Sequence, residues 1–280
     1  MKPLPRLLQQ YSEKTEASHP RKEIRHDEKF VYLNISKEIT GYTIQRLFGH
    51  PNSDWNRGDF MPAIVVPTYK ALVMFYDSSK GKDSKKLFMN VTRDSWYYLG
   101  MNKNKQALCK NLAFEPREQQ KAYLTEQIHF PSRCPSSIHG YFLCQENSPK
   151  GVRFLEAEPM DLSNPITGKK LPSRESPDYA HNIMLHIGGF YQASATYAHW
   201  LWLGGSEGCF GFIPEKSLRK SFFEASQITE KEAFISNATW INWTTMIEQY
   251  RDLDLQKRFV INIEKRNNVI RDDTKEILEI

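Results

Sequence analysis

The chain has 280 residues, with 38 Lys and Arg against 33 Asp and Glu, a formal charge of +5. That length admits one large or two modest domains. The slight basic excess suits an anionic partner, but no Lys/Arg run is dense enough to indicate nucleic acid. Four cysteines are too few for a disulfide scaffold at this length. Without Cys-x-x-Cys or His-Glu-x-x-His spacing, the sequence gives no support to a metal site, and it calls for no cofactor.

Residues 1–29 read as a polar N-terminal arm, without the apolar core of a signal peptide. No segment reaches the roughly 18 consecutive apolar residues of a membrane span. A short helix is expected over 39–48, closed by Gly49. A strand follows at 63–66, then a hairpin of 69–76 and 86–92 around the polar 78–84 connection, then a strand at 95–99. Pro116 at a permitted first-turn position predicts a helix over 117–128.

A strand pair is expected from 141–145 and 152–157, followed by a long surface loop over 160–178. A helix is expected over 215–224. Trp240, Trp243, Ile247, Tyr250 and Leu253 recur at helical spacing, which suits an amphipathic core helix. Residues 259–263 form a late strand, and 266–280 read as a solvated charged tail. Strands with a few helices between them argue for a β-rich α+β fold. Two buried thiols are the better reading of Cys134 and Cys144, although a bridge between them across a hairpin is conceivable.

Two segments carry chemistry. Asn182-Ile183-Met184-Leu185 is an apolar run that ends on His186, followed by Gly188 and Gly189. Further on, Gly204-Gly205-Ser206-Glu207-Gly208 is a glycine-rich turn that delivers Cys209 to the strand-like Phe210-Gly211-Phe212-Ile213. A thiol attacks a carbonyl only when something lowers its pKa or takes its proton, and a nearby imidazole does both. Glycine beside the sulfur leaves room for the carbonyl and frees backbone N–H groups to hold an oxyanion. Ser206 carries a hydroxyl suited to fixing the imidazole tautomer. His139, His181 and His199 are the other candidates for the base.

His186-x-Gly188 followed after a loop by Ser206-x-Gly208-Cys209 resembles the signature of the L,D-transpeptidase (YkuD-like) cysteine enzymes. The segment from Pro135 through Gly140, Tyr141 and Leu143 resembles the Pro-x-Gly-x-Tyr strand that precedes the His strand in that family. The resemblance covers about residues 130–265. It implies a β-sandwich-like catalytic core acting on the peptide stems of peptidoglycan. By position it makes Cys209 the nucleophile, His186 the base and Ser206 the orienting residue, with Gly208 in the oxyanion turn. Gly188, Gly189, Tyr191 and Trp202 would then line the substrate groove.

Two departures stand out. The segment between His186 and Ser206 is longer than the family spacing and holds Tyr197, His199, Trp200 and Trp202, as a lid or flap would. Gly211 stands where the family commonly has a polar residue.

The expected organisation is a polar arm (1–29), an N-terminal β-rich region (30–130), an L,D-transpeptidase-like catalytic domain (131–265) and a charged tail (266–280). Such a function implies a periplasmic, cell-wall or secreted location, reached without a signal peptide in this chain. The rival readings are a papain-like or NlpC/P60-like cysteine peptidase or amidase and a non-catalytic module that binds cell wall or carbohydrate through Trp and Tyr. The first is disfavoured because here the His precedes the Cys.

Overall fold

The computed structural model describes residues 29–53, 61–77, 82–130, 134–145, 153–171, 178–188, 190–192, 201–203, 208–213, 215–229 and 259–280. The chain is β-rich. One long strand, β1 (Lys29–Arg46), pairs antiparallel with β2 (Pro62–Asp77) and parallel with the late strand β14 (Phe259–Ile263). Because β1 has both neighbours, the sheet closes. The ring runs β1, β14, β6 (Gln120–Phe130), β7 (Cys134–Cys144), β10 (Met184–Ile187), β13 (Phe210–Ile213), β3 (Lys82–Thr92), β2 and back to β1.

Alternate residues on each strand turn into this ring, as the two-residue period of a strand requires. Val31, Leu33 and Ile35 meet Ala71, Val73 and Phe75 of β2 and Phe259 and Ile261 of β14, with Leu185, Phe210 and Phe212 from the far side. Most of these side chains are completely buried. Closure also removes the edges that an open sheet of this length would expose.

Past Gly41, the β1–β2 ribbon leaves the ring and is packed on both faces. One face carries Ile44, Ala63 and Val65 against Ala225 and Ile228. Ala225 belongs to the short helix α1 (Phe222–Ser226), whose N-cap Ser221 accepts from the Glu224 amide. The other face carries Leu47, Ile64 and Val66 against Trp96, Ala107 and Cys109. These last residues lie on the small sheet of β4 (Trp96–Met101), β5 (Ala107–Asn111) and β15 (Asp272–Lys275).

The β2–β3 hairpin, the strand at 95–99 and the strand at 259–263 fall where the sequence puts them. Several elements differ. Residues 39–46 continue β1 rather than forming a helix, because Tyr42, Thr43 and Ile44 pair with 65–67 of β2. Residues 120–130 are β6, held by β14 on one side and β7 on the other. Pairing from both neighbours overrides a helix-forming composition.

The predicted partner of 141–145 pairs elsewhere. β8 (Phe154–Glu156) pairs with β9 (Tyr179–His181) and meets the end of β7 through one bond, Gln145 N–H to Phe154 O at 3.1 Å. The described part of the 160–178 loop buries Met160, Leu162 and Leu171 against Leu112. The helix expected over 215–224 is a 3-10 turn at Glu215–Ser217 followed by α1. The amphipathic stripe from Trp240 to Leu253 lies outside the described residues, as does the arm at 1–28.

The tail at 266–280 is built into the molecule. β15 pairs with β5, β16 (Leu278–Glu279) pairs with the start of β2, and Arg266 is buried. The boundary expected at 130/131 falls between β6 and β7, which pair with each other. Strands from both sides of it close a single ring.

Candidate functional site

His186 sits in the middle of β10 between two glycines. Its register partner on β7 is Gly140 and its partner on β13 is Gly211. β10 and β13 run parallel, so the His strand and the strand that follows Cys209 lie side by side. Leu185 and Phe210 turn into the ring, and His186 and Gly211 therefore face the other way. His186 is nevertheless buried, at 7% exposure.

The glycines beside it are required by space. A Cβ on Gly140 would lie 2.6 Å from the Leu185 carbonyl oxygen and 3.0 Å from the His186 Cβ. A Cβ on Gly211 would lie 2.8 Å from Thr92 Oγ1 and 3.0 Å from the Gly188 Cα. The glycine at 211, where the resembled family commonly has a polar residue, thus lets Gly188 approach β13.

Cys209 immediately precedes β13 and is half-buried. Continued one residue back from Phe210, the ladder sets Cys209 on the face of Gly211 and His186. The spacing of paired strands and their rise per residue then put its Cα about 8 Å from that of His186. Gly208 before it has φ 131°, a backbone conformation that L side chains rarely adopt. The Cys209 thiol donates to the Asn182 carbonyl, with Sγ 3.9 Å from the oxygen.

The other expected site residues divide into two groups. Tyr191 and Trp202 are register partners on the two-stranded hairpin of β11 (Phe190–Gln192) and β12 (Leu201–Leu203). Ser206 and Gly189 lie outside the described residues, as do Tyr197, His199 and Trp200 of the expected flap. His181 ends β9 opposite Phe154, its ring 6.3 Å from the Phe154 ring. Cys109 is a thiol of the opposite kind. It is 1% exposed, and burial pushes its pKa up to about 12. Such a thiol stays protonated and unreactive at neutral pH.

One feature of the site lay beyond sequence reasoning. At the end of the ring where β3, β7 and β14 finish, β6, β10 and β13 begin. Cys209 stands on this rim. The opening beneath it is plugged by Arg93, Arg266, Asp94, Glu115 and Tyr69, all buried.

Arg266 donates from Nε to Glu115 Oε1 and from Nη1 to Asp94 Oδ1 at 2.7 Å and to the Tyr69 hydroxyl at 2.8 Å. Arg93 donates to the Ser36 and Glu264 carbonyls, each at 2.8 Å, which ties β1 to the end of β14. Its guanidinium also lies over the Phe210 ring, 5.8 Å from the centroid. Phe114 meets the same ring edge-on at 6.0 Å.

Burial alone would lower the Arg266 pKa, but the Asp94 and Glu115 carboxylates outweigh it and hold the group above its usual value. Arg93, with burial and the neighbouring Arg266 both acting against its charge, is pushed down to about 10. Both arginines remain cationic at neutral pH.

Among the described residues, no three His, Cys, Asp or Glu side chains gather where they could hold a metal ion. Among the same residues, no helix is long and apolar enough to cross a membrane. The arrangement offers a half-buried thiol and a buried imidazole on the next strand, with Gly140 and Gly211 as register partners of that imidazole. Comparison of the chain with protein-family models, curated proteins and solved structures returned no match in any of the three.

Proposed function

We propose that the protein is a cysteine acyl-transferase of L,D-transpeptidase type, acting on peptidoglycan stem peptides through a thioester on Cys209. The observation that carries this reading is the parallel pairing of β10 with β13, which sets His186 opposite Gly211, two residues beyond Cys209. The L,D-transpeptidase-like core belongs to the same proposal, resting on the His186-x-Gly188 and Ser206-x-Gly208-Cys209 segments.

In this mechanism an imidazole nitrogen of His186 takes the Cys209 proton, and the thiolate attacks a stem-peptide carbonyl. Backbone N–H groups around Gly208 and Cys209 hold the oxyanion, a contribution of about 2.7–4 kcal/mol for one donor of an oxyanion hole. The imidazolium returns its proton to the leaving amine as the C–N bond breaks. A second amine then resolves the thioester in transpeptidation, or water resolves it in carboxypeptidase or endopeptidase action. Ser206 orients the imidazole, and Gly188, Gly189, Tyr191 and Trp202 border the groove.

A second reading, a non-catalytic module for cell wall or carbohydrate, draws on Tyr191 and Trp202. They are register partners on the hairpin of β11 and β12, which comes after β10 in the chain. Incubating the full chain with peptidoglycan fragments, followed by mass spectrometry, separates the two. The proposal expects cross-linked or shortened stems from the wild type and none from Cys209→Ala. Loss of the base in His186→Ala should slow product formation by about 10²–10⁴. Fragments left unchanged by the wild type, yet retained by it on a column, would favour the binding module.

A further inference from the structure

Asn182 joins β9 to β10 and is one of three non-glycine residues among those described with a left-handed backbone, φ 55°. The other two, Lys105 and Asn268, lie in other turns. Asparagine tolerates this conformation better than most side chains, and β-branched residues tolerate it worst. The Asn182 side chain is exposed, so packing does not account for the residue.

What the conformation achieves is seen in the backbone. The Asn182 N–H donates to the Arg153 carbonyl at 3.0 Å. The next carbonyl, that of Ile183, accepts from the Leu143 amide at 2.8 Å and so rejoins the ladder with β7. Between these two fixed points the Asn182 carbonyl turns away from β7 and receives the Cys209 thiol, 3.9 Å from Sγ. Ile183 also closes on the turn before Cys209. A Cβ on Gly208 would meet its Cδ1 at 3.4 Å.

A carbonyl oxygen that accepts from S–H stabilises the thiol and repels the thiolate. We propose that Asn182 is a positioning residue that parks the Cys209 sulfur: its left-handed backbone aims a carbonyl at Sγ and keeps the thiol protonated and turned toward the start of β10 until it rotates to His186. The proposal rests on Cys209 being the reacting thiol. On rotation the S–H proton passes to an imidazole nitrogen, leaving a thiolate and an imidazolium, and no other reactant is needed. Among the described residues, the charged and titratable groups on the elements around it include His186 on β10, His181 and Tyr179 on β9, Arg153 and Glu156 at β8, and Lys86 and Arg93 at β3. A substitution at 182 replaces none of them.

The test is the rate of iodoacetamide alkylation at Cys209 between pH 5 and 10, read by peptide mass spectrometry on the full chain, with circular dichroism to check folding. Asn182→Gly keeps the left-handed backbone and should reproduce the wild-type midpoint. Asn182→Val opposes that backbone and should lower the midpoint by about one pH unit, roughly tenfold in rate on the rising limb. Asn182→Ala carries the comparison if the valine variant does not fold.

The midpoint and the limiting rate are read together, because simple exposure of the sulfur lowers the midpoint and raises the limiting rate, whereas loss of the carbonyl contact lowers the midpoint without raising the limit. Equal midpoints in all folded variants, an upward shift, or a glycine variant that shifts as far as the valine or alanine one would overturn the inference. Alkylation needs no substrate. Absent fragment turnover with the expected midpoint series therefore counts against the proposed function alone.

Discussion

His186 can lie where it does because no side chain stands on either register partner. Gly140 and Gly211 leave its strand pressed against both neighbours, and this packing is sensitive to one methyl group. Gly140→Ala would set a carbon 2.6 Å from the Leu185 carbonyl oxygen and 2.7 Å from Met184 Cε. The methionine can move, but the backbone oxygen cannot without shifting β10. The substitution should lower stability by about 1–3 kcal/mol, the usual cost of overpacking a close-packed site. It should also reduce fragment turnover, since the strand that shifts carries His186. Urea denaturation and the fragment assay measure the two effects, and an unchanged denaturation midpoint would mean that the register around His186 is looser than described.

At the scale of elements, the strands that deliver the site were legible because they are short apolar runs bounded by turn residues. Leu185 and Ile187 on one strand and Phe210 and Phe212 on the other alternate with His186 and Gly211, a two-residue period visible in the letters. The β2–β3 hairpin was legible for the same reason. The segment at 117–128 misled because Glu, Gln, Lys and Ala favour a helix locally. β6 is a strand because β14 and β7 offer it hydrogen bonds on both sides, and neither partner is visible from within the segment.

The 39–46 stretch carries a strand signal of its own. Thr40, Tyr42, Thr43 and Ile44 are strand formers, and their spacing fits a strand as well as a helix. Near the end of the chain β15 gave no apolar signal, since it is Asp-Asp-Thr-Lys held by main-chain pairing to β5, whereas Ile277, Leu278 and Ile280 after it are apolar and pack on the ribbon. The left-handed turn at Asn182 was equally hidden, because asparagine is common in turns that do nothing to a neighbouring thiol.

Across the whole molecule, closure of the sheet depends on strands far apart in sequence, β1 with β14, and such pairing leaves no local mark. The plug of Arg93, Arg266, Asp94, Glu115 and Tyr69 fastens that closure at the rim where Cys209 stands. Glu115 accepts from both the backbone N–H and the Nε of Arg266 and lies 3.6 Å from Arg93 Nη2. Removing it leaves two buried guanidinium groups short of a counter-charge. Glu115→Ala should cost about 3–5 kcal/mol in urea denaturation, the range for breaking a buried pair by deleting one partner. A loss below about 1 kcal/mol would place Glu115 in solvent and leave the rim open.

The central claim, that Cys209 is an acyl-transfer nucleophile served by His186, is tested most directly by intact-mass spectrometry of the protein mixed briefly with a peptidoglycan stem peptide. The account predicts a covalent adduct of the acyl fragment that maps to the Cys209 peptide, is released by hydroxylamine as a thioester is, and is missing in Cys209→Ala. A wild-type protein that converts the peptide with no adduct at Cys209, or an adduct that maps to another residue, would contradict it.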